Sequence, residues 1–203
     1  IYGIYDPGNI TYTKDYLENF EKSFILNGGT NFIKYSKTDE NLDDLVSQIN
    51  DLKPDLILIC ANSIDSARVV QYLKMKGIKT QIASSEWAMT PAFLENTGKY
   101  SEDIIFNIDY DENSKSTDFI NFSTKFKEKY NIEPSLYASK GYELARVIIE
   151  LLKMGTQTEL KKNLLIKKEF KGLQDTIIFD QYGDVIRKFN TFKVINGKFE
   201  IVE

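Results

Sequence analysis

Over about the first 110 residues, short apolar runs alternate with segments whose apolar residues recur at helical spacing, and few folds accommodate that alternation. The clearest run is Leu56 to Ala61, continuously apolar as expected of a strand buried on both faces of a parallel sheet. Ile1 to Tyr5, Phe32 to Tyr35 and Thr80 to Ser84 read as further strands. Between them lie helical faces: Tyr16, Leu17, Phe20 and Phe24, closed by Gly28-Gly29, then Leu42, Leu45, Val46, Ile49 and Leu52, closed by Pro54. The next helix carries Ala67, Val70, Leu73 and Lys74 and stops at Gly77, with Ser63 as its expected cap, and Thr90-Pro91 opens another. The expected architecture is α/β, a Rossmann-like parallel sheet with flanking helices and right-handed crossovers. Such sheets bind ligands beyond the carboxyl ends of their strands, which selects the loops Asp6 to Tyr12, Asn62-Ser63 and Ser84 to Met89.

The rest of the chain changes character. Two long helices, Asp118 to Tyr130 and Tyr137 to Met154, precede strand-like runs between Thr176 and Glu203. Tyr182-Gly183-Asp184 and Asn196-Gly197-Lys198 read as turns in which glycine supplies the positive backbone angle. There is no internal repeat and no low-complexity tract.

Composition removes several classes of function. The 203 residues are 42% apolar, enough for a real core, and the net charge of −4 with no long Lys/Arg run argues against nucleic acid and against an anionic membrane surface. A chain with no His has no Ser/His or Cys/His pair for nucleophilic catalysis. The lone Cys60, inside the best strand, reads as a buried thiol rather than a nucleophile. Asp6-Pro7-Gly8-Asn9-Ile10 has too few glycines for a phosphate loop, and Asp180, Asp184 and Glu143 fall at a turn and a helix start rather than at metal-ligand spacing. No metal, no cofactor and no enzymatic activity are expected. No apolar stretch approaches the roughly 20 residues of a membrane span, and no leader pattern is present.

Several segments together resemble the type I periplasmic binding proteins of branched-chain amino acid transporters, the leucine/isoleucine/valine-binding family. They are Ile4-Tyr5-Asp6 followed by Tyr12, Pro54-Asp55-Leu56-Ile57, Gly77-Ile78-Lys79-Thr80, Ser84-Ser85-Glu86-Trp87, Gly141-Tyr142-Glu143-Leu144-Ala145, Phe179 to Asp184 and Asn196-Gly197-Lys198-Phe199. They occur in the family's order, and the match is to the second half of those proteins. The resemblance implies two Rossmann-like lobes that close on a ligand. Residues 1–110 and 188–203 would form the second lobe, and 111–187 would belong to an incomplete first lobe. The opening strand, with no turn before it, reads as a chain cut just before a core element.

The same resemblance proposes ligand-binding residues. Glu86 falls where amino-acid-binding members place an acid for the ligand ammonium, the alternative being a solvated loop carboxylate. Tyr12 matches a cleft tyrosine, or is an ordinary surface Tyr near a helix start. Asn62 stands where relatives often place an aromatic residue; it would hydrogen-bond a polar ligand or simply cap a helix. Trp87 would cover an apolar or cationic group or be packed in the lobe, and Tyr137 would face the cleft near the hinge.

The expected function is the extracytoplasmic, periplasmic or extracellular substrate-binding component of an ABC uptake transporter, with or without a lipid anchor. It would take an amino-acid-like small molecule and dock on the membrane permease. A ligand-sensing module of a chemoreceptor or histidine kinase with the same fold is the alternative. Phe119, Phe122, Phe126, Val147, Ile148 and Leu151 would be left uncovered by the absent part of the first lobe, so self-association is also expected.

Overall fold

The computed structural model describes residues 1–202, with the side chains of 33–35 outside the description. The chain divides into two compact units, one of Ile1–Ile108 with the C-terminal strands from Thr191, the other of Asp109–Asn190.

In the first unit strands and helices alternate as β1 (Tyr2–Tyr5), α1 (Ile10–Leu26), β2 (Ile33–Lys37), α2 (Leu42–Leu52), β3 (Leu56–Cys60), α3 (Ser63–Met75), β4 (Gln81–Ser84), α4 (Pro91–Thr97) and β5 (Ile105–Ile108). Strand β1 pairs in parallel with β2 and β3, β3 with β4, and β4 with β5. The parallel strands are apolar almost throughout: Tyr2, Ile4, Ile57, Ile59, Ile82 and Phe106 have no exposed surface. The helices bury one stripe each, Leu45 and Ile49 from α2, and Val69, Val70 and Leu73 from α3. Gly3 sits where a Cβ would come within 3.1 Å of Leu17 of α1, so glycine is what lets that helix lie close on β1.

Helix starts follow side-chain chemistry. Asn41 caps α2 by accepting from Asp43 N, and Thr90 caps α4, which has Pro91 in its first turn. The expectation for α3 is corrected: Asn62, not Ser63, is its cap, because the Asn62 Oδ1 accepts from both Ile64 N and Asp65 N at 3.0 Å. An amide oxygen one position earlier reaches two free N–H groups, whereas Ser63 already belongs to the helix.

The second unit contains α5 (Thr117–Tyr130), α6 (Leu136–Leu152), α7 (Leu160–Lys167) and a three-stranded antiparallel sheet of β6 (Glu169–Lys171), β7 (Thr176–Phe179) and β8 (Val185–Ile186). Sequence periodicity did not announce α7 or β6. This small sheet overturns part of the expected apolar patch. Val147 and Leu151 of α6 cluster with Phe170 and Ile177, and Phe119 of α5 is buried too, so only Phe122, Phe126 and Ile148 of the six residues keep appreciable exposure.

The final strands β9 (Asn190–Ile195) and β10 (Lys198–Ile201) form a hairpin that completes the large sheet, in the order β10-β9-β5-β4-β3-β1-β2. Asn196 and Gly197 both have positive φ, 53° and 71°, as a tight two-residue hairpin turn requires. Phe199 of β10 meets Phe106 of β5 edge-on, and Phe106 meets Phe93 of α4 the same way, so the hairpin is anchored by an aromatic ladder.

Candidate functional site

The carboxyl ends of β1, β3 and β4, three adjacent strands, gather four of the five candidate residues. Strand β1 delivers Asp6 into a short 3-10 turn, Pro7–Asn9, capped by the Asp6 carboxylate, and α1 begins directly after it. That placement puts Tyr12 on the first turn of α1. Strand β3 ends at Cys60 and leads to Asn62, and β4 ends at Ser84 and leads to a second 3-10 turn, Glu86–Ala88. Tyr137 belongs to the other unit, on the first turn of α6, and is 63% exposed.

Tyr12 and Glu86, 74 positions apart, are joined. The Tyr12 hydroxyl donates to Glu86 Oε1 at 2.7 Å. Its ring meets Trp87 edge-on, with centroids 5.8 Å apart and planes at 82°, and meets Tyr16 at 6.1 Å. Burial, and then the Glu86 carboxylate that accepts its proton, push the Tyr12 phenol well above the ordinary tyrosine range. Tyr16 is raised for the same leading reason, with the Glu86 charge second. Both phenols are therefore neutral. Tyr12 commits its one O–H donor to Glu86, which leaves its ring and an oxygen lone pair for anything else. Among the described residues no Lys or Arg pairs with Glu86, so a half-buried carboxylate is held by a neutral donor and aromatic rings alone.

Asn62 has no hydrogen-bonding capacity to spare. Its amide nitrogen donates to Asp6 Oδ2 at 3.1 Å and to Asp65 Oδ2 at 2.7 Å, while its oxygen caps α3. Of its two readings, the geometry supports the helix cap. Asn62 also ties the end of β1 to the end of β3 through Asp6, which sequence reading passed over. Asp6 is 8% exposed, and its carboxylate accepts from Gly8 N at 2.7 Å and from Asn62. The signal available for it was position: an acid at the carboxyl end of the first strand, followed by Pro-Gly.

Behind Tyr12 lies Cys60. Burial pushes its thiol up to about 12, with the Ser85 hydroxyl beside it lowering that value and the Glu86 charge raising it. Cys60 is thus a packed thiol. The Ser85 hydroxyl is fully buried and makes no hydrogen bond among the described residues, the weak thiol being its neighbour. Chemically, the site offers an unneutralised carboxylate framed by Tyr12 and Trp87, suited to receiving a cation with hydrogen-bond donors. No group of three or more acidic or thiol side chains with metal-ligand geometry occurs among the described residues.

No family model matches the sequence, and no curated protein matches it either. Solved structures match its fold throughout. A leucine-binding protein, LivK, from Thermotoga maritima superposes with a TM-score of 0.86 at 20% identity, over 100% of this chain and 59% of its own length. LivJ from Streptococcus pneumoniae, a branched-chain amino acid transporter substrate-binding protein in complex with isoleucine, gives 0.77 at 20% identity over 99% of this chain and 59% of its own. An ABC transporter solute-binding protein from R. palustris in complex with benzoate gives 0.77 at 14% identity over 99% and 57%. The chain thus has the type I periplasmic binding protein fold, α/β with a mostly parallel sheet between helices, and it spans about 60% of the length of the solved structures it matches.

Proposed function

We propose that this chain is the larger part of an extracytoplasmic solute-binding protein that captures an amino-acid-like molecule and delivers it to the membrane permease of an ABC transporter. In this reading the first unit belongs to one lobe, the second unit contributes to the other lobe, and the ligand is held as the lobes close. Glu86 receives the ligand ammonium, and Tyr12 and Trp87 form the wall beside it; Tyr137, on the second unit, is that unit's own candidate ligand contact. Asn62 acts indirectly, by holding Asp6 and the start of α3 in place.

The observation that carries the reading is the Glu86 carboxylate, fixed by Tyr12 and, among the described residues, without a cationic partner at the carboxyl edge of the sheet. Closure would take that charge out of water, which is tolerable only if the ligand supplies a cation. An amine-bearing ligand fits, as in the isoleucine complex of LivJ, and an amine-free acid such as the benzoate held by the R. palustris protein does not. The test is a thermal-shift screen of the full-length protein against amino acids, small peptides, amides and simple carboxylates. A free amine is expected in every compound that stabilises, by about 2.7 kcal/mol at a hundredfold excess over Kd. Stabilisation by amine-free carboxylates alone would overturn the assignment.

A further inference from the structure

Within the second unit, α5 and α6 are joined only by residues 131–135 and form a helical hairpin. A groove of about 610 Å³ runs along the seam between them. Its floor is aromatic. Phe122 of α5 meets Tyr142 of α6 across the seam with ring centroids 4.7 Å apart, while Phe122 and Phe126 lie at 5.7 Å and Phe126 and Tyr130 at 4.6 Å. Tyr130 and Tyr142 are 53% and 44% exposed, so the rings are partly bare to water.

The rim is basic. Lys125 and Lys129, one turn apart on α5, and Arg146 on α6 line the same groove. The Lys129 Nζ lies 5.2 Å from the centre of the Tyr130 ring and the Arg146 guanidinium 5.9 Å from that of Tyr142. None of the three cations forms an ion pair among the described residues, and the one acid in the lining, Asp118, is already taken by Lys171 at 2.7 Å. On a chain of net charge −4 this is a local reversal of sign. A purely apolar cover would strip water from these cations with nothing in return, so whatever covers the rings has to bring carboxylates with its apolar surface.

We infer that the α5–α6 groove docks an acidic amphipathic helix of a partner protein, its apolar face on the rings and its carboxylates on Lys125, Lys129 and Arg146. The dimensions agree. From Asp118 to Tyr130 α5 rises ~18 Å, the length of about twelve residues of a partner helix. Carboxylates one turn apart on such a helix have the spacing of Lys125 and Lys129, roughly 6 Å. Every polar side chain in the lining is half-buried or exposed, so the groove has no buried polar group to orient a small molecule, whereas a seam between two helices accepts the apolar face of a third.

The experiment is fluorescence anisotropy on the whole chain with a labelled peptide of about 18 residues, Leu and Phe on one helical face and Glu at i, i+4 spacing along its edges. The control peptide has Lys for every Glu. The Glu peptide is expected to bind about tenfold or more tighter than the Lys peptide, and to lose about tenfold in affinity for the double variant Lys125→Glu, Lys129→Glu. Both lysines are exposed, so the double variant should keep its circular dichroism and melting temperature. Should it fail to fold, Arg146→Gln decides, with a loss of about threefold or more expected. No binding of the Glu peptide, equal binding of the two peptides, or undiminished binding by the folded variants would overturn the proposal. Capture by phosphatidylglycerol vesicles that the double variant loses, without peptide binding, would put a membrane surface in the partner's place and overturn it as well. So would a full-length protein that does not bind the peptide this chain binds, since its own chain would then cover the groove.

Discussion

The hydroxyl of Tyr12 donates to Glu86 at 2.7 Å, while the ring of the same tyrosine stands edge-on to Trp87. One side chain therefore fixes both the carboxylate and the aromatic wall. Glu86→Gln keeps the shape and removes the charge, and in the full-length protein it is expected to weaken an amine ligand by about 2 to 5 kcal/mol, the range for breaking a desolvated charge pair. Tyr12→Phe keeps the ring and loses only the donor, so about 1 kcal/mol is expected. Calorimetry on both variants is the check. Equal affinities for wild type and Glu86→Gln would reduce the carboxylate to a surface group.

Asn62 should matter to stability more than to affinity. Asn62→Ala removes the cap of α3 and one of the two hydrogen bonds to the Asp6 carboxylate, and urea unfolding is expected to show a loss of about 1 to 2 kcal/mol. Asn62→Ser, which retains a capping oxygen, should recover most of it. A large loss of ligand affinity with unchanged stability would restore the direct ligand role.

Cys60 yields a pH-dependent expectation with a definite sign. Its thiol is raised from 9.0 to about 12 in the folded chain, so the fold favours the protonated form. The associated stability is fully present below pH 9 and is lost as pH rises towards 12. The melting temperature should therefore fall more gently with alkaline pH in Cys60→Ala than in wild type, with the raised tyrosines Tyr2, Tyr12, Tyr16 and Tyr110 contributing to the slope that remains. At pH 8 the native thiol should resist alkylation and react only after unfolding. Rapid modification of the native protein would contradict this.

The outward side of α6 carries Leu144, Ile148, Ile149 and Leu152, all exposed. This chain is accordingly expected to self-associate with rising concentration, and sedimentation velocity should show Leu144→Glu with Ile149→Glu returning it to monomer. A strict monomer at high concentration for the unmodified chain would refute the expectation.

Much of this molecule follows from local patterns. Apolar runs of strand length, helical spacing of Leu45, Ile49, Val70 and Leu73, and the turn residues Asn196 and Gly197 are each readable within a few positions, because backbone geometry repeats over short distances. The strand-end rule then pointed to the segments after β1, β3 and β4, although Tyr12 proves to lie on the first turn of α1 and Glu86 in a 3-10 turn rather than in open loops. What those side chains do there was decided by partners far along the chain. Asn62 is saturated by Asp6, 56 positions away, and Glu86 is held by Tyr12, 74 positions away. Val147 and Leu151 have the helical spacing of an exposed apolar stripe, yet they are covered by Ile177 of β7 and by Phe170 of β6, a strand too short to announce itself in sequence. Periodicity determines which face of an element is apolar. Which neighbour covers that face, and which donors remain for a ligand, depends on hydrogen bonds and packing that exist only once distant segments meet.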